Sequence, residues 1–234
     1  MIVTSELADY RLAPETLEEK AALLSRLGEK LLAQGSVRGV TALKTLEAIK
    51  TELLLDSLGG CLSLPRTAGA EVCDIGTGGG VPGLVLAIVR PDLRFTLTDS
   101  ATRKTKWVQE CVDELGLTNV EVVTSRLELL GRDEAYRERF DAVTAKALSA
   151  LAVLLEFSMP LLKVGGKLIA YKGPAREDEI TQARQALRLL GAKVVRKRAY
   201  DLEGKSHRIA ELEKLHPTPQ CYPRRDGVPQ KTPL

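Results

Sequence analysis

From Glu71 to Lys214 the chain alternates between two hydrophobic periods. Short runs rich in valine, isoleucine, threonine and phenylalanine repeat every second residue or are apolar throughout. Between them leucine, valine and alanine recur at three- and four-residue spacing. The first pattern is that of a strand and the second that of a packed helix face. Strands are predicted over Glu71–Ile75, Arg94–Asp99, Asn119–Ser125, Phe140–Thr144 and Lys167–Gly173. Helices are predicted from Pro82 to the "RPD" stop, and over Lys104–Leu115, Leu151–Leu162 and Glu177–Leu190. Pro82 suits a first helical turn, while Gly116 and the pair Gly165-Gly166 suit helix ends. Two last strand patterns, "AKVVRKRAY" and "HRIAELEK", are joined only by "DLEGKS". Strand–helix alternation implies an α/β fold with a mostly parallel, doubly wound sheet. The closing pair implies a terminal antiparallel hairpin.

Upstream of Glu71 only helical periods occur, over Glu15–Gln34 and Thr41–Leu58, and Gly59-Gly60 with Pro65–Gly69 form a linker. The expected organisation is a helical extension over residues 1–65, a sheet domain over 66–215, and a basic, proline-rich, irregular tail over 216–234.

The first strand runs into "CDIGTGGGVPG", in which glycine and proline dominate behind one carboxylate, Asp74. A turn without Cβ atoms between a strand and a helix lets a ligand touch backbone. Two ligand classes compete for it. A dinucleotide would rest its pyrophosphate on the helix N-terminus, but Pro82 removes one of the N–H groups needed there. Asp74 suits a cationic, phosphate-free ligand with an ammonium end, such as S-adenosylmethionine. Asp99 closes the second strand and can accept ribose hydroxyls in either case. A glycine turn with no ligand is the third reading.

Composition narrows the chemistry. The chain has 234 residues, 44% of them hydrophobic, which is enough for one α/β domain with a sizeable core. Its apolar runs are too short to span a bilayer. The start, "MIVTSE", carries no export pattern, which points to the cytoplasm. The four cysteines are scattered and read as small buried hydrophobes, and with only two histidines a metal site is not expected. A net charge of +3 permits an anionic partner without demanding one.

The segments "DIGTGGGVPGLVLAIVRPD", "LTDS", "RKTKWV", "SRLE", "AKALSAL", "AYKG" and "YPRRDGVPQKTPL" resemble the small-subunit rRNA methyltransferase G family, once called glucose-inhibited division protein B. The likeness runs from about Leu54 to the C-terminus. It implies a seven-stranded, Rossmann-like S-adenosylmethionine-dependent fold that methylates N7 of a single guanosine in the decoding-region loop of 16S rRNA. It implies cofactor contacts at Asp74, Gly76, Gly78, Val81, Asp99, Leu127, Glu128 and Lys146. Lys146 stands where the family usually has arginine, and so lacks a bidentate fork. Leu53 stands where the family usually has a histidine, three residues before "DSL".

Guanine N7 is a lone-pair acceptor with no proton to remove, so no general acid or base is nominated. Lys146, Ser149 and Lys172, near the C-terminal ends of strands four and five, are candidates for orienting the base and its phosphates. Arg103, Arg196, Lys197, Arg198, Arg224 and Arg225 are candidates for RNA contact. Trp107 reads as core. The expected state is a monomer. The rival readings are an NAD(P)-dependent oxidoreductase, for which no Tyr-x-x-x-Lys is evident, and a non-catalytic RNA-binding protein of the same fold.

Overall fold

The computed structural model describes residues 16–173 and 178–234. Glu15 and Glu177, the expected first residues of two helices, lie outside them. Helix α1 (Leu17–Arg38) ends on Gly39, whose φ of 64° is the left-handed geometry that terminates helices. Helix α2 is composite: α-helical over Leu46–Ile49, π-helical over Lys50–Leu55 and α-helical again over Asp56–Leu58. The Thr45 hydroxyl caps it by accepting the Ala48 N–H at 3.2 Å. A π segment inside a helix often marks a functional position, and here it immediately precedes Asp56.

The sheet has seven strands in the order β3-β2-β1-β4-β5-β7-β6. Strands β1 (Glu71–Ile75), β2 (Arg94–Asp99), β3 (Val120–Thr124), β4 (Phe140–Lys146) and β5 (Leu162–Lys172) are parallel to one another. Strand β7 (Lys205–Lys214) lies antiparallel between β5 and β6 (Ala192–Leu202). The expected hairpin is therefore present, with its second strand inserted into the sheet. Strand order reverses between β1 and β4, and in open α/β sheets ligands sit outside the C-terminal ends of the strands at that reversal.

Helices α3 (Gly83–Val89) and α4 (Thr102–Leu115) cover one face of the sheet together with α1 and α2. Leu24, Leu27, Leu31, Ile49, Leu54 and Leu58 enter the same buried cluster as Phe95 and Trp107, so the N-terminal helices share the core of the sheet. Each such leucine contributes about 1.5–3 kcal/mol relative to exposure. The second face carries α5 (Leu127–Leu130), α6 (Leu151–Ser158), α7 (Asp178–Gln182) and α8 (Arg184–Leu189), and buries Phe140, Phe157, Leu190 and Leu212.

Several expected boundaries move: the helix expected over Thr41–Leu58 begins at Leu46, and the one expected to end at Leu190 is broken at Ala183. The helix predicted over Leu151–Leu162 ends at Ser158, and β5 begins at Leu162 instead of Lys167. The pair Gly165-Gly166 is an irregularity inside the strand: β4 and β5 pair at Phe140–Leu162 and again at Ala142–Lys167, which leaves the extra residues on β5. A Cβ on Gly166 would stand 3.1 Å from the carbonyl oxygens of Phe140 and Asp141, so close strand approach selects that glycine.

After β7 the chain is irregular apart from α9 (Val228–Lys231), yet it is firmly attached. Arg224 forms a two-pronged pair with Glu156, a fully buried carboxylate on α6, its Nη2 lying 2.6 Å from Oε2. Arg137 donates to the carbonyls of Thr218 and Tyr222, and Arg132 to that of Pro223.

Candidate active site

The turn after β1 reaches the sheet reversal with three left-handed glycines, Gly76, Gly78 and Gly80, at φ of 64°, 57° and 89°. Their neighbours differ. A Cβ on Gly76 would lie 2.5 Å from Leu148, and one on Gly80 would overlap Leu84. Gly79 approaches the Val40 carbonyl, and Gly83 approaches both Leu97 and the Asp74 carboxylate. Only Gly78 among these would place a Cβ in open space, its nearest neighbour the Gly76 oxygen at 3.8 Å. Most of the bareness in this turn therefore serves internal packing, and Gly78 is the position left open.

Asp74 is fully buried and works on the turn itself. Its Oδ2 accepts the Gly83 N–H at 3.1 Å and its Oδ1 accepts the Thr144 hydroxyl at 2.7 Å. Burial pushes its carboxyl up to about 6, against the opposing hydrogen bonds. The same contacts bear on a bound anion. Pro82 has no N–H, Gly83 gives its own to Asp74, and Leu84 gives its own to the Gly80 carbonyl at 2.7 Å. The first donors of α3 are thus absent or spent, which disfavours a pyrophosphate there.

Asp99 ends β2 opposite Gly78. Its Oδ2 accepts the Gly78 N–H at 3.1 Å and its Oδ1 accepts the Ala101 N–H at 2.9 Å, while the Lys104 ammonium stands 3.6 Å away. A carboxylate offers about four lone-pair sites, so capacity for a vicinal diol remains. The Thr98 hydroxyl, beside the same turn, is buried with no partner among the described residues. Trp107, read as core from the sequence, is fully buried, and its Nε1–H also donates to the Gly79 carbonyl at 3.2 Å. It holds the back of the turn. Nothing in the sequence pattern pointed to that bond, because Trp107 follows Gly79 by 28 residues.

Beside this cradle, at the end of β4, the Lys146 ammonium reaches the Asp56 carboxylate and the Glu52 carbonyl, each at 2.6 Å. Burial draws its pKa below the ordinary lysine value, opposed chiefly by Asp56. Ala147, next in the chain, holds a φ of 52°, a conformation that costs a non-glycine residue about 1–2 kcal/mol. Asp56 also accepts the Tyr200 hydroxyl at 2.7 Å and lies 2.9 Å from His207 Nδ1, so one carboxylate ties helix α2 to β4, β6 and β7. Leu53 is half-buried against the apolar core. An imidazole does reach this helix, but it comes from β7 as His207.

The remaining sequence candidates are dispersed. Val81 packs against the core, and Leu127 is buried at the start of α5. The Glu128 carboxylate is taken by the Gly227 N–H at 2.9 Å and by Arg126 at 3.4 Å. Lys172 pairs with Glu179 at 2.6 Å and donates to the Ser149 carbonyl at 3.1 Å. Arg196 stands 3.7 Å from Glu211, and the Arg198 guanidinium donates to the Gly59 carbonyl. Arg224 is held by Glu156. Arg103 and Arg225 are exposed, and Arg103 lies against Gly39. Among the described residues no cluster of three His, Cys, Asp or Glu side chains could hold a metal, and no helix is long and apolar enough to cross a membrane.

A parallel sheet of this order, closed by an inserted antiparallel hairpin, defines the Rossmann-like methyltransferase fold. It superposes on a SAM-dependent methyltransferase from Aquifex aeolicus with a TM-score of 0.53 at 20% identity, covering 70% of this chain and 93% of that one. M. jannaschii TYW2 in complex with AdoMet gives 0.51 at 16% identity, over 64% and 71%. The model of the family described as rRNA small subunit methyltransferase G matches residues 20–207, and the chain belongs to that family. Relatives named ribosomal RNA small subunit methyltransferase G are 38% identical in Moorella thermoacetica, over 92% of this chain and 91% of the relative, and 42% identical in Deinococcus radiodurans, over 87% and 82%.

Proposed function

We propose that this chain transfers the methyl group of S-adenosylmethionine to N7 of a single guanosine in the decoding-region loop of 16S rRNA. The observation that carries the reading is the pairing of Gly78, the open glycine of the turn, with the Asp99 carboxylate at the reversal of a methyltransferase sheet. Family membership supplies the substrate class. When bound, S-adenosylmethionine supplies a methyl group already activated by its sulfonium charge.

The chain's own residues bind and orient. Gly78 admits the cofactor against backbone. Asp99 takes the ribose hydroxyls, and Leu127 with Glu128 borders the adenine. Asp74 acts through the turn, which its bonds to Gly83 and Thr144 hold. Because N7 carries no proton, alignment and exclusion of water suffice, and proximity alone is worth about 7–11 kcal/mol in favourable cases. Lys146, desolvated and fixed by Asp56, sits where a guanine carbonyl beside N7 could accept from a cation. Ser149 and Arg103 are assigned to the same RNA-facing side. A ribosomal substrate also supports the cytoplasmic location expected from the sequence.

The test is methyl transfer from labelled S-adenosylmethionine to small ribosomal subunits from cells lacking this protein, with the modified base mapped. Label on one guanine N7 of the decoding-region loop is expected. Label elsewhere, or none despite confirmed cofactor binding, overturns the reading.

A further inference from the structure

Beyond the cradle, on the other face of the sheet, lies a cavity of about 720 Å³. Its walls are β5, β7 and β6 on one side and α7 on the other, and it opens beside Ala150 and Leu151. That loop is the one whose Leu148 covers Gly76. The floor is apolar, with Leu151, Ile180 and Ala210. The rim is cationic. Arg208 on β7 pairs in register with Lys172 on β5 and with Ala199 on β6, and Lys197 pairs with Ala210, so alternation along the strands places Lys172, Arg208 and Lys197 on one face. Arg198 also borders the cavity, with its guanidinium given to Gly59.

These cations differ in how far they are already used. Lys172 is neutralised by Glu179 of α7. Lys197 is exposed, and no ion pair of it occurs among the described residues. Arg208 is half-buried, and its Nε is enclosed with no hydrogen-bond partner among the described residues. A desolvated guanidinium donor with nothing to bind is costly unless a ligand completes it.

We infer that this groove takes an unstacked nucleotide of the RNA strand flanking the target base, with Arg208 and Lys197 on its phosphates. The inference rests on the RNA substrate proposed above and adds a second contact region to it. A flat apolar floor under a cationic rim matches the repeating unit of a single strand, in which each base is followed by a phosphate. The volume falls within the ~300–1,000 Å³ of pockets that enclose a small organic group. Arg208 lay outside the basic clusters legible in the sequence, because it is a single cation among alternating residues of β7. The groove also separates the basic residues by role: Arg196 and Arg224 serve internal ion pairs, whereas Lys197 and Arg208 face a ligand.

The probe is a fluorescein-labelled single-stranded decaribonucleotide of mixed sequence, bound to the full chain at 50 and 200 mM KCl. Arg208→Gln and Lys197→Gln are each expected to weaken binding roughly tenfold and to lower the salt slope by about one. Arg208→Lys keeps most of the affinity. Arg66→Gln, in the cavity at the opposite ends of the parallel strands, changes it less than about twofold. Should Arg208→Gln unfold the chain, the exposed Lys197 carries the test. Failure of the unaltered chain to bind, equal binding by Arg208→Gln and Lys197→Gln, or an equal loss in Arg66→Gln overturns the groove. So does equally effective competition by polyglutamate, which would assign the face to an acidic protein. Parallel methyl-transfer assays separate the two readings. Oligonucleotide binding that depends on Arg208, without label on subunits, sinks the ribosomal reading and keeps the groove. Label without that dependence does the reverse.

Discussion

The two halves of the sheet are built from different material. Strands β1 and β2 are buried almost along their whole length, and the turn between β1 and α3 presents backbone to the ligand side. Strand β6 alternates between exposed and half-buried residues, carries cations, and meets helix α2 through side chains. In the first half the shape comes from local chain conformation. In the second it comes from charges and hydroxyls brought together from distant positions. A recognition surface of the first kind is fixed by what is absent, a Cβ. One of the second kind is fixed by pairs, each of which fails if either partner is removed.

The sharpest break of that comparison is Asp56→Ala. It takes the paired carboxylate from the buried Lys146 ammonium and removes one side-chain contact each from Tyr200 and His207. A loss of about 3–5 kcal/mol is expected for breaking a buried pair from one side, read by urea unfolding. A loss below about 1 kcal/mol, the range of an exposed pair, would show that the clasp is not structural.

The glycine half is tested by two substitutions of the same kind. Gly80→Ala meets both a left-handed φ and the Leu84 side chain, so a loss of roughly 2–5 kcal/mol is expected. Gly78→Ala meets only the φ penalty of about 1–2 kcal/mol, but it places a methyl group in the open side of the cradle. Calorimetric titration with S-adenosylhomocysteine should therefore show the greater affinity loss in Gly78→Ala among variants that remain folded. Equal affinities in Gly78→Ala and the unaltered chain would remove Gly78 from the cofactor site.

Asp74 gives a pH signature. Its carboxyl is raised from the ordinary value near 4 to about 6 in the fold. Its contribution to stability is therefore fully present below about pH 4 and is lost as the pH rises through about 6. Urea unfolding of Asp74→Asn between pH 4 and 7 should lack the decline that the unaltered chain shows. The same slope in both would assign the decline to other groups. A single-bond effect is expected from Trp107→Phe, which keeps a ring in the core and deletes the bond to Gly79. Removal of one hydrogen bond that leaves a carbonyl unpaired costs about 1–3 kcal/mol, and thermal unfolding of this variant should lie between those of the unaltered chain and Asp56→Ala.

The fold was largely legible because its signals are short-range. Period-two and period-three-to-four patterns, together with Pro82 and Gly116, marked most elements within a few residues. Gly165-Gly166 misled because a glycine pair terminates a helix and relaxes a strand equally well, and only the close approach of Phe140 and Asp141 decides between them. At the site, the glycine turn and the acid that ends the next strand, Asp99, stood out in order along the chain. The clasp did not. Lys146 meets the Glu52 carbonyl across 94 residues, and Tyr200 meets Asp56 across 144. Neither Tyr200 nor His207 sits in a motif of its own, so no local pattern marks them. The tail looked like free basic chain, and the buried Glu156 that anchors Arg224 is one acid in an otherwise apolar helix.

That carboxylate at residue 56 has a consequence for how the molecule comes into being. Synthesis proceeds from the N-terminus at about 5–20 residues per second, so Asp56 precedes Tyr200, 144 residues later, by roughly 7–30 s. Through that interval the glycine turn and β2 can already be translated and paired, while Asp56 on helix α2 still lacks Tyr200 and His207. The binding cradle is therefore an early product of translation and the clasp around Lys146 a late one. A ribosome making this chain completes the clasp only after it has added the last two strands.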